Sequence, residues 1–359
     1  MGWQVTDYFT IYREEGWYGA HPNIVRTPSG DLLTLFHRSP ETGFSHHSHP
    51  LFDIRACRSK DHGTSWGPPE LVTNYPYGGV LDFGTHTLSN GLIFLHGSTV
   101  DLIPSNQSET SKHSWISQPG LGFHIGSIDG GITWSNPENF PLLPDAINGY
   151  PASHTGICRS GLLESTPGGH LFLPGKATEN IDGREPFFGM MLSSCDYGNN
   201  WKYSGRIAQD DIAHFSEPAI YMTPKGRIIV LFRCHPHQPG KDNHLVQVYS
   251  DDGGKTWSNW ESTTMRGSPG HLLRLSDNRI LATVGTRWEG KMGCMARVLD
   301  PEAENLNLAK DIVVRADSSG PDCGYPWAVE LKNGMVLIVY YYTYEDGTRG
   351  IEGSLLEER

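Results

Sequence analysis

Residues 249–257 read YSDDGGKTW, and the same arrangement of Ser, Asp, Gly and Trp occurs three more times in the chain. The four copies follow one another at intervals of roughly sixty residues, a spacing that marks them as an internal repeat. We call each copy an Asp turn. The other copies are RSKDHGTSW (58–66), GSIDGGITW (126–134) and SSCDYGNNW (193–201).

A second repeat is present in six copies. Each copy has an apolar approach, a turn rich in Pro, Ser, Gly or Asn, and then an alternating or fully apolar run. This pattern indicates a β-hairpin, and the turn glycines supply the positive φ that such turns need. The copies are RTPSGDLLTLFHR (26–38), HTLSNGLIFLHG (86–97), ESTPGGHLFLPG (164–175), YMTPKGRIIVLFR (221–233), LRLSDNRILATVG (273–285) and VELKNGMVLIVYY (329–341).

The two repeats together predict the fold. Six hairpins indicate six similar sheets, and four-stranded sheets repeated around an axis form a β-propeller. We therefore predict an all-β, six-bladed propeller of four-stranded antiparallel blades, with residues 1–359 as a single domain. In each blade the hairpin joins the first two strands and the Asp turn joins the last two. Blades five and six lack a good Asp turn, although VLDPEAENLN (298–307) resembles a degenerate copy.

The ends of the chain are predicted to close the ring. After the sixth hairpin only RGIEGSLLEER (349–359) remains, which is enough for one further strand. The segment QVTDYFTIYRE (4–14) alternates polar and apolar residues, as a half-buried strand does. We expect this N-terminal strand to pair with the C-terminal one in the last blade, which removes both sheet edges.

The Asp turns are expected to be structural. An Asp side chain in such a turn accepts backbone N–H bonds, a glycine such as Gly254 takes the left-handed conformation, and Trp257 buries its ring against the sheet. No catalytic role is predicted for the four turn aspartates, which are Asp61, Asp129, Asp196 and Asp252.

Composition limits the class of protein. The formal charge of −12 argues against nucleic-acid or anionic-membrane partners, and no apolar run reaches the length of a membrane span. The N-terminal MGWQVTDYF is not a signal peptide, although a mature secreted chain would look the same. Six cysteines without a CxxC pair favour buried free thiols, a reducing compartment and a cytoplasmic location. No cofactor or metal is expected, and the oligomeric state is left open.

Four Asp turns in a six-hairpin chain resemble the sialidase (neuraminidase) superfamily, whose repeats are called Asp boxes or BNR repeats. The resemblance covers essentially the whole chain. It implies an active site at the centre of the ring, on the inner strands and their loops. In that superfamily a Tyr nucleophile is paired with a Glu, an Asp acts as acid/base, and three Arg residues bind a carboxylate.

Three positions match this pattern. Tyr325 in GPDCGYPWAVEL (320–331) and Glu217 in HFSEPAIYM (214–222) fall where the family places its Tyr and Glu. A carboxylate beside a phenol can take its proton and make it nucleophilic. Arg233, at the end of the fourth hairpin strand, matches one Arg of the triad and can bind a carboxylate bidentately. The alternative reading makes Tyr325 a core aromatic, Glu217 a turn residue and Arg233 a surface residue.

Two arginines of the triad do not carry over. The first position holds Ala20 or His21, and the third aligns best with Met295, with Arg287 and Arg297 nearby. The other substrate-binding candidates are consequently His21, Arg38, Asp53 and Arg287, in addition to Arg233.

The acid/base loop also departs from the family. SPETGFSHHSHPLF (39–52) contains no Asp but holds Glu41, His46, His47 and His49. Histidine suits acid/base work because its pKa lies near neutrality, so His47 and His49 are catalytic candidates. The same residues could instead contact sugar, hold a metal, or lie in a solvated loop. Weaker candidates for the rim of the site are His86, His154, His235 and His237.

Three functions remain open. The first is an exo-acting glycoside hydrolase that removes a terminal acidic sugar, sialic acid-like or uronic, from a glycan. The second is a polysaccharide lyase or atypical glycosidase that uses His and Tyr beside a uronic acid, for example at a rhamnose–glucuronate linkage. The third is a glycan-binding propeller without catalytic activity. The expected partner in each case is a glycan or oligosaccharide.

Overall fold

A computed structural model describes residues 2–41, 49, 51–75, 78–104, 115–141, 159–166, 168–178, 187–235 and 243–359. Within these ranges every regular element is a β-strand. In chain order the strands are β1 (Trp3–Tyr12), β2 (Trp17–Arg26), β3 (Leu32–Pro40), β4 (Asp53–Ser59), β5 (Glu70–Asn74), β6 (Gly78–Thr87), β7 (Ile93–Pro104), β8 (Trp115–Ser127), β9 (Glu138–Asn139), β10 (Leu163–Thr166), β11 (His170–Thr178), β12 (Phe187–Ser194), β13 (Lys202–Ala208), β14 (His214–Met222), β15 (Ile228–His235), β16 (His244–Ser250), β17 (Glu261–Arg266), β18 (Gly270–Arg274), β19 (Ile280–Trp288), β20 (Lys291–Leu299), β21 (Ile312–Arg315), β22 (Gly324–Glu330), β23 (Val336–Thr343) and β24 (Arg349–Glu358).

The strands form antiparallel sheets of a β-propeller. Four sheets have four strands each, in the orders β6 to β9, β10 to β13, β14 to β17 and β18 to β21. The remaining eight strands form one larger sheet, which contains the antiparallel runs β22-β23-β24-β1 and β2-β3-β4-β5. These two runs are joined by a single parallel pair, Tyr18 with Arg349.

The first strand of each sheet lies on the inside of the ring. β2 contacts both β6 and β22, β18 contacts both β14 and β22, and β10 contacts β14. The apolar core lies between neighbouring sheets, because each blade buries both of its faces against the next. One core cluster, for example, joins Met191 and Ile207 of the β10–β13 sheet to Phe215, Val230 and Val248 of the β14–β17 sheet.

The predicted hairpins and Asp turns are confirmed. Each of the six hairpins joins the first two strands of a sheet or of a four-stranded run, and each Asp turn joins the last two. The predicted closure is also present, since β1 pairs with β24 from Trp3 opposite Glu358 to Tyr12 opposite Ile351.

The Asp turn at 249–257 has the expected internal bonding. The Asp252 carboxylate accepts hydrogen bonds from the Ser250 hydroxyl (2.8 Å) and from the backbone N–H of Lys255 (3.0 Å) and Thr256 (2.9 Å). Gly254 has a φ of 85°, and the Trp257 indole donates to its carbonyl (3.2 Å). The equivalent bonds depress the pKa of Asp61 to about 2, first through the Ser65 hydroxyl.

The degenerate copy keeps part of this bonding. Asp300 accepts the backbone N–H groups of Glu302 (2.9 Å), Glu304 (3.2 Å) and Asn305 (2.8 Å). The turn between β20 and β21 is therefore still held by one aspartate, although its Ser, Gly and Trp are lost.

The cysteines follow the prediction in part. Cys57, Cys294 and Cys323 are buried free thiols, whereas Cys195 is exposed and Cys234 is partly exposed. Cys158 lies outside the described residues. Among the described residues, no helix is long and apolar enough to cross a membrane.

Candidate active site

Three inner strands share an unusual backbone feature. His21 in β2, Glu217 in β14 and Tyr325 in β22 have φ values of 51°, 47° and 52°, in the left-handed region that non-glycine residues rarely adopt. Each one is followed by a proline and lies at a shift in strand register. Such a conformation costs about 1–3 kcal/mol and persists where the surrounding structure enforces it, often at functional sites. Each bulge thus turns one polar side chain away from its strand.

The bulges bring Tyr325 and Glu217 together, although they belong to different sheets. The Tyr325 hydroxyl donates a hydrogen bond to Glu217 Oε1, and Arg233 Nη1 donates to Glu217 Oε2 at 3.0 Å. Tyr325 and Glu217 are each 5% exposed. The carboxylate thus has a separate partner on each oxygen, and the guanidinium compensates its buried charge. A contact between β14 and β22 spans the centre of the ring, since the β18–β21 sheet lies between them.

Two further guanidinium groups lie over the Tyr325 ring. The Cζ atoms of Arg287 and Arg159 are 5.3 Å and 4.9 Å from the ring centroid. Arg287 Nη1 donates to the Ser268 carbonyl at 2.7 Å, whereas its buried Nη2 has no hydrogen-bond partner among the described residues. Positive charge therefore surrounds the Tyr325–Glu217 pair.

His21 completes this cluster. Its ring lies 4.3 Å from the Tyr325 ring, centroid to centroid, and 5.3 Å from Tyr341. His21 Nδ1 and His37 Nδ1 are 3.3 Å apart, so one imidazole donates and the other accepts. His37 had not been singled out from the sequence, because it stands among apolar residues in LLTLFHR and reads as a strand-end residue.

A carboxylate with a side chain that is 9% exposed lies next to the cluster. Asp322 accepts hydrogen bonds from the hydroxyls of Tyr341 (2.9 Å) and Tyr18 (3.2 Å), and Arg349 Nε lies 3.3 Å from it. Burial, followed by the Asp322 charge, raises the pKa of both tyrosines. The Tyr341 ring is 5.8 Å from that of Tyr325, so this network supports the site from the rear.

Two other candidates, Arg38 and Asp53, belong to a group of ion pairs. Arg38 stacks on Trp17 (3.9 Å), donates to Glu14 (3.3 Å) and has its Nε 3.9 Å from Asp53. Asp53 also accepts two hydrogen bonds from Arg55, at 2.8 and 2.5 Å. Arg38 and Asp53 consequently form an ion-pair group at one end of the β2–β5 run, apart from the contacts of Tyr325.

The histidine loop is described only at its end. His49 is buried, which lowers its pKa, and its Nδ1 accepts the Leu51 N–H at 3.0 Å. Its ring lies 6.2 Å from Phe52, whose ring is 5.4 Å from His37. The rings of Phe52 and His37 thus lie between His49 and His21. His46, His47, His154 and His237 lie outside the described residues. In the described part of the chain, no three His, Cys, Asp or Glu side chains are placed to hold a metal ion together.

Sequence reasoning missed Arg159, Asp322 and His37. The three bulges, in contrast, could have been predicted from the dipeptides His21-Pro22, Glu217-Pro218 and Tyr325-Pro326, which recur just before the first turn of three blades. A proline cannot donate to the sheet ladder, so its repetition inside a strand indicates a bulge. Arg159 had no such signal, because its partners are distant in sequence.

Comparison with known proteins supports the fold. The family model described as a BNR repeat-like domain matches residues 49–338. A crystal structure of a protein of unknown function from Dyadobacter fermentans is 31% identical, with a TM-score of 0.88 and 100% of each chain covered. No curated protein matches the sequence.

Two structurally similar enzymes are more distant. The NanB sialidase from Streptococcus pneumoniae is 13% identical, with a TM-score of 0.63 over 95% of this chain and 68% of that one. The α-L-arabinanase from Penicillium chrysogenum, solved with arabinobiose, is 15% identical, with a TM-score of 0.64 over 98% of both chains. At these identities the likeness concerns the fold alone.

Proposed function

The chain belongs to the BNR repeat-like domain family, and on that premise we propose that it is an exo-acting glycoside hydrolase that removes a terminal acidic sugar from a glycan. The observation that carries the proposal is the buried hydrogen bond between the Tyr325 hydroxyl and Glu217 at the centre of the ring. Sialidases and an arabinanase of similar fold give the glycosidase class its support.

In the proposed reaction Glu217 takes the phenolic proton of Tyr325. The phenolate oxygen forms a bond to the anomeric carbon while the glycosidic C–O bond breaks, and water later releases the sugar from Tyr325. Arg233 donates a 3.0 Å hydrogen bond to Glu217 Oε2, which leaves Oε1 to accept the phenolic proton. The leaving oxygen needs a proton, which we assign to His47 or His49 of the histidine loop.

The proposed substrate carries a carboxylate. Arg287 Nη2 is a buried donor without a hydrogen-bond partner among the described residues, and it lies beside the tyrosine that would attack the sugar. A buried donor of this kind favours an anionic ligand, and Arg233 adds a second positive charge nearby. A neutral phenol can also approach an anionic sugar without the repulsion that a carboxylate nucleophile would meet. By resemblance to sialidases, Ala20 or His21 stands where that family has an arginine, so the sugar need not be sialic acid.

We also propose a number of blades for the ring. We interpret the eight-stranded sheet as two blades, β22-β23-β24-β1 and β2-β3-β4-β5, because the ladder between them consists, among the described residues, of the one parallel pair Tyr18 with Arg349. With the four separate sheets this gives a six-bladed propeller, and residues 1–359 form one domain.

The test is mass spectrometry of products after incubation with three substrate sets: sialylated glycans, uronic-acid oligosaccharides and arabino-oligosaccharides. A product that has gained one water, from an acidic substrate only, is the expected result, and its mass names the sugar. Release of arabinose alone would show that the substrate is a neutral sugar and not an acidic one. A product lighter by one water than the hydrolytic product would establish a lyase. Binding without turnover would indicate a glycan-binding protein without catalytic activity.

A further inference from the structure

A short segment ahead of β10 runs through the middle of the molecule. Arg159 is 1% exposed and Ser160 is fully buried, although neither belongs to a strand. Buried irregular backbone is uncommon, because its polar groups must find partners without a sheet ladder. The partners of residues 159–161 are therefore informative about why the segment is there.

Those partners are the three bulges of the candidate active site. Arg159 Nη1 donates to the Pro22 carbonyl at 3.0 Å, in the bulge that holds His21. Arg159 Nη2 donates to the carbonyls of Tyr325 (2.5 Å) and Pro326 (2.8 Å), in the second bulge.

The third bulge is bound by the backbone of the same segment. The Gly161 N–H donates to the Pro218 carbonyl at 2.8 Å, next to Glu217. A bulge interrupts the ladder and leaves carbonyl groups without their usual donors. One segment of three residues thus satisfies carbonyls in all three bulges, which belong to β2, β14 and β22.

We propose that residues 159–161 are the positioning element of the site, fixing His21, Glu217 and Tyr325 relative to one another. Arg159 acts here as a positioning residue, because its hydrogen bonds to Pro22, Tyr325 and Pro326 go to backbone carbonyls and its guanidinium lies over the face of the Tyr325 ring. The catalytic consequence rests on the proposed function, whereas the placement of the three side chains does not.

Glycine at 161 is part of the same device. A Cβ at this position would lie 2.9 Å from the backbone nitrogen of Ile220 and 3.2 Å from its Cγ2. The backbone of the segment therefore touches the backbone of β14 directly. A Gly161→Ala substitution would push β14, and Glu217 with it, away from the other two bulges.

The experiment compares Arg159→Gln, Arg159→Lys and Gly161→Ala with a matched control, Arg297→Gln. Arg297 is similarly buried, at 6% exposed, and donates to the carbonyls of Leu306 (2.8 Å) and Thr264 (3.1 Å), in addition to the Thr264 hydroxyl (2.8 Å) and an ion pair with Asp311 (2.7 Å). It lies in β20, away from the three bulges. The substrate-free readout is the NMR signal of Tyr325 in protein labelled with [13Cζ]tyrosine, assigned by its loss in Tyr325→Phe. The catalytic readouts are kcat and KM, and thermal unfolding is recorded for every variant.

Arg159→Gln and Gly161→Ala are expected to shift the Tyr325 signal and to lower kcat about 100-fold with KM little changed, because a displacement of about 1 Å has this effect on a catalytic group. Arg159→Lys, which keeps a donor and the charge, is expected to recover part of kcat. Arg297→Gln is expected to lower the unfolding temperature without either change.

An unmoved Tyr325 signal in folded Arg159→Gln and Gly161→Ala would overturn the proposal. If Arg159→Gln does not fold, the Tyr325 signals of Gly161→Ala and Arg159→Lys decide the question in the same way. Absence of turnover in the wild-type protein would refute the proposed function only, because the NMR comparison uses no substrate.

Discussion

Replacing Tyr325 by Phe removes one oxygen and keeps the aromatic ring. The ring contacts with His21, Arg159 and Arg287 remain, whereas the hydrogen bond to Glu217 is lost. A hydrogen bond to a charged group contributes about 1.5–3 kcal/mol to stability. With an unfolding entropy of about 2.1 cal/mol/K per residue, a chain of 359 residues should lose about 2–4 °C in unfolding temperature.

The matched control is Tyr341→Phe. Tyr341 is also buried, and its hydroxyl also donates to a carboxylate, Asp322, at 2.9 Å. Its ring is 5.8 Å from that of Tyr325. We therefore expect a similar loss of unfolding temperature from each variant, while Tyr325→Phe alone loses the proposed nucleophile, at least about 10³-fold in kcat.

The assay measures unfolding by circular dichroism and turnover on the substrate that the product analysis identifies. Equal activity losses in the two variants would refute the assignment of Tyr325, because the loss would then follow from disturbing any tyrosine of this cluster. Retained activity in Tyr325→Phe would refute the nucleophile outright and move the chemistry to other groups.

Three further predictions concern Arg287, Asp61 and the strand β1. Arg287→Gln should raise KM for an acidic sugar about 10- to 100-fold and leave binding of a neutral analogue unchanged, which steady-state kinetics on the two substrates would decide. Because the pKa of Asp61 is depressed in the folded state, its turn contributes stability above the unfolded pKa near 4, and this contribution is lost as the pH falls to about 2. The free energy of unfolding, measured with urea between pH 5 and 2, should therefore decline less steeply in Asp61→Asn than in the wild-type protein. Identical profiles would contradict this. Removal of residues 2–12 should expose the edge of β24 and cause association, visible by light scattering, whereas a monomer of unchanged stability would contradict the role of β1 in closure.

The sequence predicted the parts of the fold that are coded locally. Hairpins and Asp turns depend on residues a few positions apart, such as Ser250, Asp252 and Gly254, and their bonding is as expected. Closure of the ring was predictable because only one segment was left to complete the last blade. The number of sheets is less direct, since the pair Tyr18–Arg349 joins two four-stranded runs into one larger sheet.

The candidate site was predictable only where family resemblance supplied it. Tyr325 and Glu217 are far apart in sequence, and motif position alone brought them into one hypothesis. Arg159 and Asp322 act through carbonyl and hydroxyl partners on other strands, which no local pattern records. Arg38 and Asp53, both predicted to bind substrate, lie 3.9 Å apart, and Arg38 also donates to Glu14; their role in the site stays a prediction.

The pairing of β1 with β24 also sets an order of events during folding. In the described part of the chain β1 pairs with β24, and strands β2 to β23 lie between the two in sequence. Contacts of such long sequence range are slow to form, so this pairing is expected to come late in folding. Ile11 and Tyr12 are the buried residues of β1, so a late pairing leaves few core contacts unmade, and once formed it covers the edge of β24.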